Sequence, residues 1–147
     1  MSADSVTIIL AEDDDGHATL IERNLRRAGL ANTFVRMKDG QEALDYFNGP
    51  DSCVNSRDRT CVLLLDINMP RVDGIEVLRQ LKSKPETAAL PIIMLTTTDD
   101  PREVERCYSL GCNVYVTKPV EYDTFIEAVK RLGFFLQVVK LPTNGKH

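Results

Sequence analysis

Four short stretches carry residue types that can do chemistry together. Glu12, Asp13 and Asp14 stand in a row behind one apolar run, and Asp66 closes another, Cys61-Val62-Leu63-Leu64-Leu65. Thr96, Thr97 and Thr98 follow Ile92-Ile93-Met94-Leu95, and Lys118-Pro119 follows Val114-Tyr115-Val116-Thr117. A charge directly after five apolar residues needs a reason, because a buried carboxylate has to be paired or neutralised. Carboxylates gathered at one place repel one another, and a bound cation or a shared proton resolves the repulsion. An oxygen-only set without His or Cys suits a hard ion, and Mg²⁺ is the common choice where phosphate is handled. A carboxylate nucleophile, a divalent ion, a hydroxyl and an ammonium are together what phosphoryl transfer requires.

Whether these groups meet depends on the elements that carry them. The chain alternates short apolar runs with helical patterns. Val6–Ala11 is apolar on both faces and rich in β-branched residues. A helix then opens at Asp15 or Gly16, with Leu20, Ile21, Leu25 and Ala28 on one face and Gly29 closing it. A second strand is predicted around Thr33–Arg36. The following helix has Asp39 as its N-cap and turns Ala43, Leu44 and Phe47 inward. Residues 48–60 are polar and hold Gly, Pro, Asn and Ser, so they read as a loop. The third strand ends at Asp66, and a helix over about Gly74–Lys82 presents Ile75, Leu78 and Leu81. Ile92–Thr96 is the fourth strand, and its helix starts near Pro101 and ends at Gly111. Val114–Thr117 is the fifth, with a last helix from about Tyr122.

Strands without alternation are buried on both faces, which implies a parallel sheet covered by helices on each side. Right-handed crossovers then give a doubly wound α/β sandwich, a five-stranded (βα)5 fold. In such a sheet the ligand lies beyond the carboxyl ends of the strands. All four chemical stretches sit there.

Composition sets bounds on the reading. A chain of 147 residues with 43% hydrophobic and 27% charged residues suits one globular domain, with a core over about 6–136 and an extension over 137–147. Net charge of −4, with no basic cluster, argues against a nucleic-acid surface. No apolar stretch approaches a membrane span and no cationic leader precedes one, so a cytoplasmic location is expected. Cys53, Cys61, Cys107 and Cys112 fit neither a zinc site nor a disulfide framework, and free thiols are expected.

The order EDD at 12–14, LLLDINMPRVDG around Asp66, MLTTT at 94–98 and YVTKP at 115–119 resembles the receiver domain of two-component response regulators. The likeness covers about Val6 to Leu136. It implies flavodoxin-like topology with strand order 2-1-3-4-5. It makes Asp66 the phosphoacceptor and places Mg²⁺ on Asp13 and Asp66, with the backbone carbonyl of Asn68 as third ligand and Glu12 acting largely through water. Mn²⁺ or Ca²⁺ would substitute in crystals. Thr96 matches the hydroxyl that bonds the phosphoryl group, Tyr115 the aromatic switch, and Lys118 the cation beside the acceptor. The Lys118-Pro119 bond is expected to be cis, and Asn68 and Thr98 fall at the positions that tune phosphoryl lifetime. Thr97 departs from the small residue often found there.

The resemblance further implies a signalling protein fed by a sensor histidine kinase, catalysing only its own phosphoryl transfer and slow autodephosphorylation. No effector domain fits in 120–147, so output is expected through protein contacts and not through DNA or a membrane. The TTT after the fourth strand and the apolar ending resemble the single-domain regulators that partner bacterial and cyanobacterial phytochromes. Phe134, Phe135, Leu136, Val138 and Val139 are many apolar groups for an exposed terminus, and homodimerisation through them is expected, with folding back onto the domain's own core as the alternative.

Each stretch alone has an ordinary reading: the acids as helix caps, Asp66 as a turn residue, Thr96 and Tyr115 as strand packing, Lys118 as a solvated charge. The joint match at four strand ends outweighs these. A haloacid-dehalogenase phosphatase would need a second Asp where Asn68 stands. A flavodoxin-like carrier would need a phosphate-binding loop where EDDDGH stands. A receiver acting only as a phosphorylation-independent docking module is the remaining alternative.

Overall fold

The computed structural model describes residues 6–27, 32–55, 60–97 and 100–118, together with Asp123, Thr124 and Glu127. Its elements are β1 (Val6–Ala11), α1 (Asp15–Arg27), β2 (Thr33–Met37), α2 (Gly40–Asn48), β3 (Thr60–Asp66), α3 (Gly74–Lys82), β4 (Ile92–Thr96), α4 (Pro101–Ser109) and β5 (Val114–Thr117). The strands form one parallel sheet in the order β2-β1-β3-β4-β5, as the resemblance implied. Asp123, Thr124 and Glu127 are helical and exposed. Among the described residues no helix is long and apolar enough to cross a membrane.

Strand residues alternate between two cores. Ile9, Ala11, Leu63, Leu65, Ile92 and Met94 share one cluster with Ala43, Leu44 and Phe47 of α2, Val77, Leu78 and Leu81 of α3, and Cys107 of α4. The intervening residues Ile8, Leu10, Leu64, Ile93 and Leu95 are equally buried on the opposite face. That two-sided burial is why the strands read as unbroken apolar runs, and each buried Leu or Ile contributes roughly 1.5–3 kcal/mol.

Two inward assignments shift. α1 buries Ala18, Ile21 and Leu25, whereas Leu20 is 41% exposed. Ala18, Ile21 and Leu25 are three and four apart and form one stripe, and Leu20 lies a residue off it. In α3 Val77 joins the core, and Ile75 is half-buried.

The cysteine expectation is corrected at one pair. The 48–60 segment contains a 3₁₀ turn, Cys53–Asn55, and the Tyr46 hydroxyl accepts from the Cys53 backbone N–H at 3.0 Å. This folds Cys53 back against the start of β3, its Cα 6.2 Å from that of Cys61, and the two are joined in a disulfide. Cys107 and Cys112 are free and buried, and burial pushes their thiols up to about 11 and about 12.

Candidate functional site

Strand register brings the chemical stretches to one edge. Ala11 pairs with Leu65, so Glu12 and Asp66 leave adjacent strands side by side. Asp66 pairs with Leu95 and Thr96 with Thr117, which sets Thr96 one step and Lys118 two steps further along the same edge. The Lys118 backbone N–H donates to the Thr96 carbonyl at 2.6 Å, tying the end of β5 to that of β4.

At the centre lies a buried ion cluster. Lys118 Nζ is 2.7 Å from Glu12 Oε1 and 2.9 Å from Asp66 Oδ1, and all three side chains are nearly excluded from solvent. His17 Nδ1 stands 3.2 Å from the same ammonium. Burial is the largest influence on Asp66; the Lys118 hydrogen bond pulls it down, the Glu12 and Asp13 carboxylates push it up, and the group ends at about 6. Lys118 moves above its ordinary value: burial works against its charge, but the bonds to Glu12 and Asp66 outweigh burial.

Glu12, Asp13 and Asp66 each offer a carboxylate oxygen within 4.8 Å of the others. Against one ammonium, these carboxylates leave two uncompensated negative charges. An oxygen-only set with that excess fits a hard divalent cation. Asn68 is exposed just beyond Asp66, on the same loop.

The three consecutive acids divide their labour. Only Asp14 takes the ordinary capping role, its carboxylate accepting from the His17 N–H at 2.9 Å. Glu12 turns inward, while Asp13 is exposed at the rim.

The loop after Asp66 is clamped at both ends. The Gly74 N–H donates to the Ile67 carbonyl at 2.8 Å, and Asp73 caps α3. A Cβ on Gly74 would stand 2.2 Å from the Asp66 carbonyl oxygen, and one on Gly40 would stand 2.0 Å from that of Val72. Arg71 adopts φ 67, a left-handed conformation unusual for a residue with a side chain, and bonds Asp39, the cap of α2, at 3.0 Å.

Thr96 is fully buried and its hydroxyl donates to Glu103 Oε1 at 3.4 Å. The half-buried Tyr115 hydroxyl donates to the same oxygen at 3.2 Å. Thr97 is exposed. Thr98, Pro119 and the apolar residues Phe134, Phe135, Leu136, Val138 and Val139 lie outside the described residues, and so does the cis bond expected at Pro119.

Sequence reasoning missed Arg36, His17, Arg71 and Glu103. Arg36 of β2 donates to the Glu12 carbonyl through Nε at 3.0 Å and Nη2 at 2.7 Å, fixing the backbone that aims Glu12. Arg71 lies within the stretch around Asp66 but at a position with no marker role, and the other three lie outside the marker stretches. An arginine in a short strand beside an acidic edge was the only available signal.

Comparison with known proteins agrees with this geometry. A match to the response regulator receiver domain covers residues 8–130. Response regulator Rcp1 of Synechocystis sp. is 30% identical over 92% of this chain and 92% of its own. Its Mn²⁺-bound structure superposes with a TM-score of 0.70 at 29% identity, over 92% of this chain and 98% of the other. A receiver domain from Rhodospirillum rubrum is 48% identical over 92% of this chain and 96% of its own, with a TM-score of 0.72. The bacteriophytochrome response regulator AtBRR is 38% identical over 86% of this chain and 91% of its own, with a TM-score of 0.75. With the matched region running from within β1 past β5 and including the carboxyl edge of the sheet, this chain belongs to the response regulator receiver family, among relatives that include phytochrome response regulators.

Proposed function

We propose that the chain accepts a phosphoryl group on Asp66 from the phosphohistidine of a sensor kinase of the phytochrome type, and signals through protein contacts. The observation that carries this reading is the Asp66 carboxylate, buried at a strand end between Glu12, Asp13 and Lys118. Asp66 Oδ would form the new P–O bond as the donor's P–N bond breaks and the imidazole leaves with a proton. Glu12, Asp13, Asp66 and the Asn68 carbonyl would hold Mg²⁺, which supplies charge neutralisation on the phosphoryl oxygens. Lys118, already paired with Asp66, keeps its positive charge beside the acceptor and moves from carboxylate to phosphate. Asn68 and Thr98 set access of water to the acyl phosphate, and neither brings an acid, so hydrolysis is slow.

The Thr96 hydroxyl turns to a phosphoryl oxygen and Tyr115 follows, changing the surface of α4 and β5. This change biases two states already present. The relatives Rcp1, solved with Mn²⁺, and AtBRR, a bacteriophytochrome response regulator, support the metal and the kinase class. Phe134, Phe135, Leu136, Val138 and Val139 supply a homodimer contact.

Incubation with acetyl phosphate and Mg²⁺, followed by intact mass, should show one added phosphoryl group on the native chain. The group should be absent with chelator and absent from Asp66→Asn. Uptake by the variant would move the acceptor elsewhere. If the native chain takes none and Thr97→Ala takes none, the docking-module reading replaces this one.

A further inference from the structure

Between β4 and β5 stands a carboxylate that the marker stretches do not include. Glu103 lies in the first turn of α4, half-buried, and its Oε1 receives both the Thr96 hydroxyl and the Tyr115 hydroxyl. One oxygen therefore joins the buried end of β4, the aromatic of β5 and the helix between them. Burial pushes the Tyr115 phenol up to about 12; Thr96 opposes the rise and Glu103 adds to it. Tyr115 thus stays protonated and remains a donor.

A threonine hydroxyl has one proton to give. If it turns to a phosphoryl oxygen on Asp66, it has to leave Glu103. We propose that Glu103 is the positioning residue of this receiver's switch, holding the Thr96 and Tyr115 hydroxyls in the unphosphorylated arrangement and transmitting the departure of Thr96 to α4 and Tyr115. The inference rests on Asp66 being the phosphoacceptor. Glu103 sets the resting balance between the two hydroxyl arrangements, and phosphorylation has to work against it. Removing the carboxylate makes the phosphorylated arrangement easier to reach.

The test labels the full chain with 3-fluorotyrosine and assigns the Tyr115 resonance with Tyr115→Phe. Glu103→Ala should move that resonance in the free protein, without metal or phosphate. Glu103→Gln, which keeps an acceptor oxygen, should move it less. Glu105→Gln, the same charge change at an exposed position of α4, should leave it in place. With Mg²⁺ present, Glu103→Ala should reach half-saturation with beryllofluoride, a phosphoryl mimic, at a roughly tenfold lower concentration, the scale of one hydrogen bond to a charged group. That gain should vanish in a Thr96→Ala background.

An unmoved Tyr115 resonance in Glu103→Ala overturns the proposal. So does a beryllofluoride gain that survives in Thr96→Ala or is matched by Glu105→Gln. If beryllofluoride does not bind the native chain, the phosphoacceptor reading fails on its own. The Tyr115 resonance in the free protein then still decides whether Glu103 holds the tyrosine.

Discussion

Asp66 is kept where its charge is costly. Its ordinary value near 3.8 rises to about 6 in the metal-free fold, through burial first and then the neighbouring carboxylates, against the pull of Lys118. A folded-state value above the unfolded one means that the native state binds the proton more tightly. Stability contributed by this group therefore falls as pH rises from about 4 to about 6, and the full penalty stands at pH 7. Asp66→Asn removes the charge and keeps the shape. In chelator at pH 7 the variant should be more stable than the native chain by about 1–3 kcal/mol, read from denaturant midpoints. Mg²⁺ at a hundred times its Kd should stabilise the native chain by about 2.7 kcal/mol and the variant far less. A variant that is less stable in chelator would mean that Lys118 compensates Asp66 fully. On the proposed function, the stability given up at Asp66 would be recovered when a cation binds beside it.

Elements position that residue through close backbone approach. Gly74 opens α3 with its Cα against the Asp66 carbonyl, and Gly40 opens α2 against Val72 of the same loop. Gly74→Ala needs a shift of the strand end or the helix, because backbone atoms at 2.2 Å cannot yield as a side chain would. The expected cost is about 3 kcal/mol, with phosphoryl uptake by the folded fraction reduced roughly tenfold or more. Full uptake in the folded fraction would show that the loop has slack.

The strand ends were legible because apolar runs and their terminal acids are local patterns. So was α3, whose caps and periodicity agree over Gly74–Lys82. What stayed hidden depends on pairs distant in sequence. Arg36 reaches Glu12 across 24 positions and Arg71 reaches Asp39 across 32, and each contact depends on where a long side chain points. Glu103 looked like any acid in a first helical turn, and only the approach of β5 gives it Tyr115. The Cys53–Cys61 bridge needed a turn inside a segment whose composition announced only a loop.

At the scale of the whole molecule, a receiver acts by changing what its surface touches. On the proposed function, the acidic edge would take the input at Asp66 and the Thr96–Glu103–Tyr115 cluster would carry the response to α4 and β5. The apolar residues Phe134, Phe135, Leu136, Val138 and Val139 belong to none of the stretches that make up that edge and cluster. An apolar patch of that density left in water favours association, and a two-fold contact uses the same patch twice. The native chain should therefore sediment at twice its 16.5 kDa mass. Phe135→Glu combined with Val138→Glu should return it to the monomer while phosphoryl uptake on Asp66 continues, because neither residue belongs to the acceptor stretches. A native chain that sediments as a monomer at about 100 times the concentration of a typical micromolar contact would mean that these side chains cover the domain's own core. The double substitution would then lower the unfolding midpoint rather than the mass.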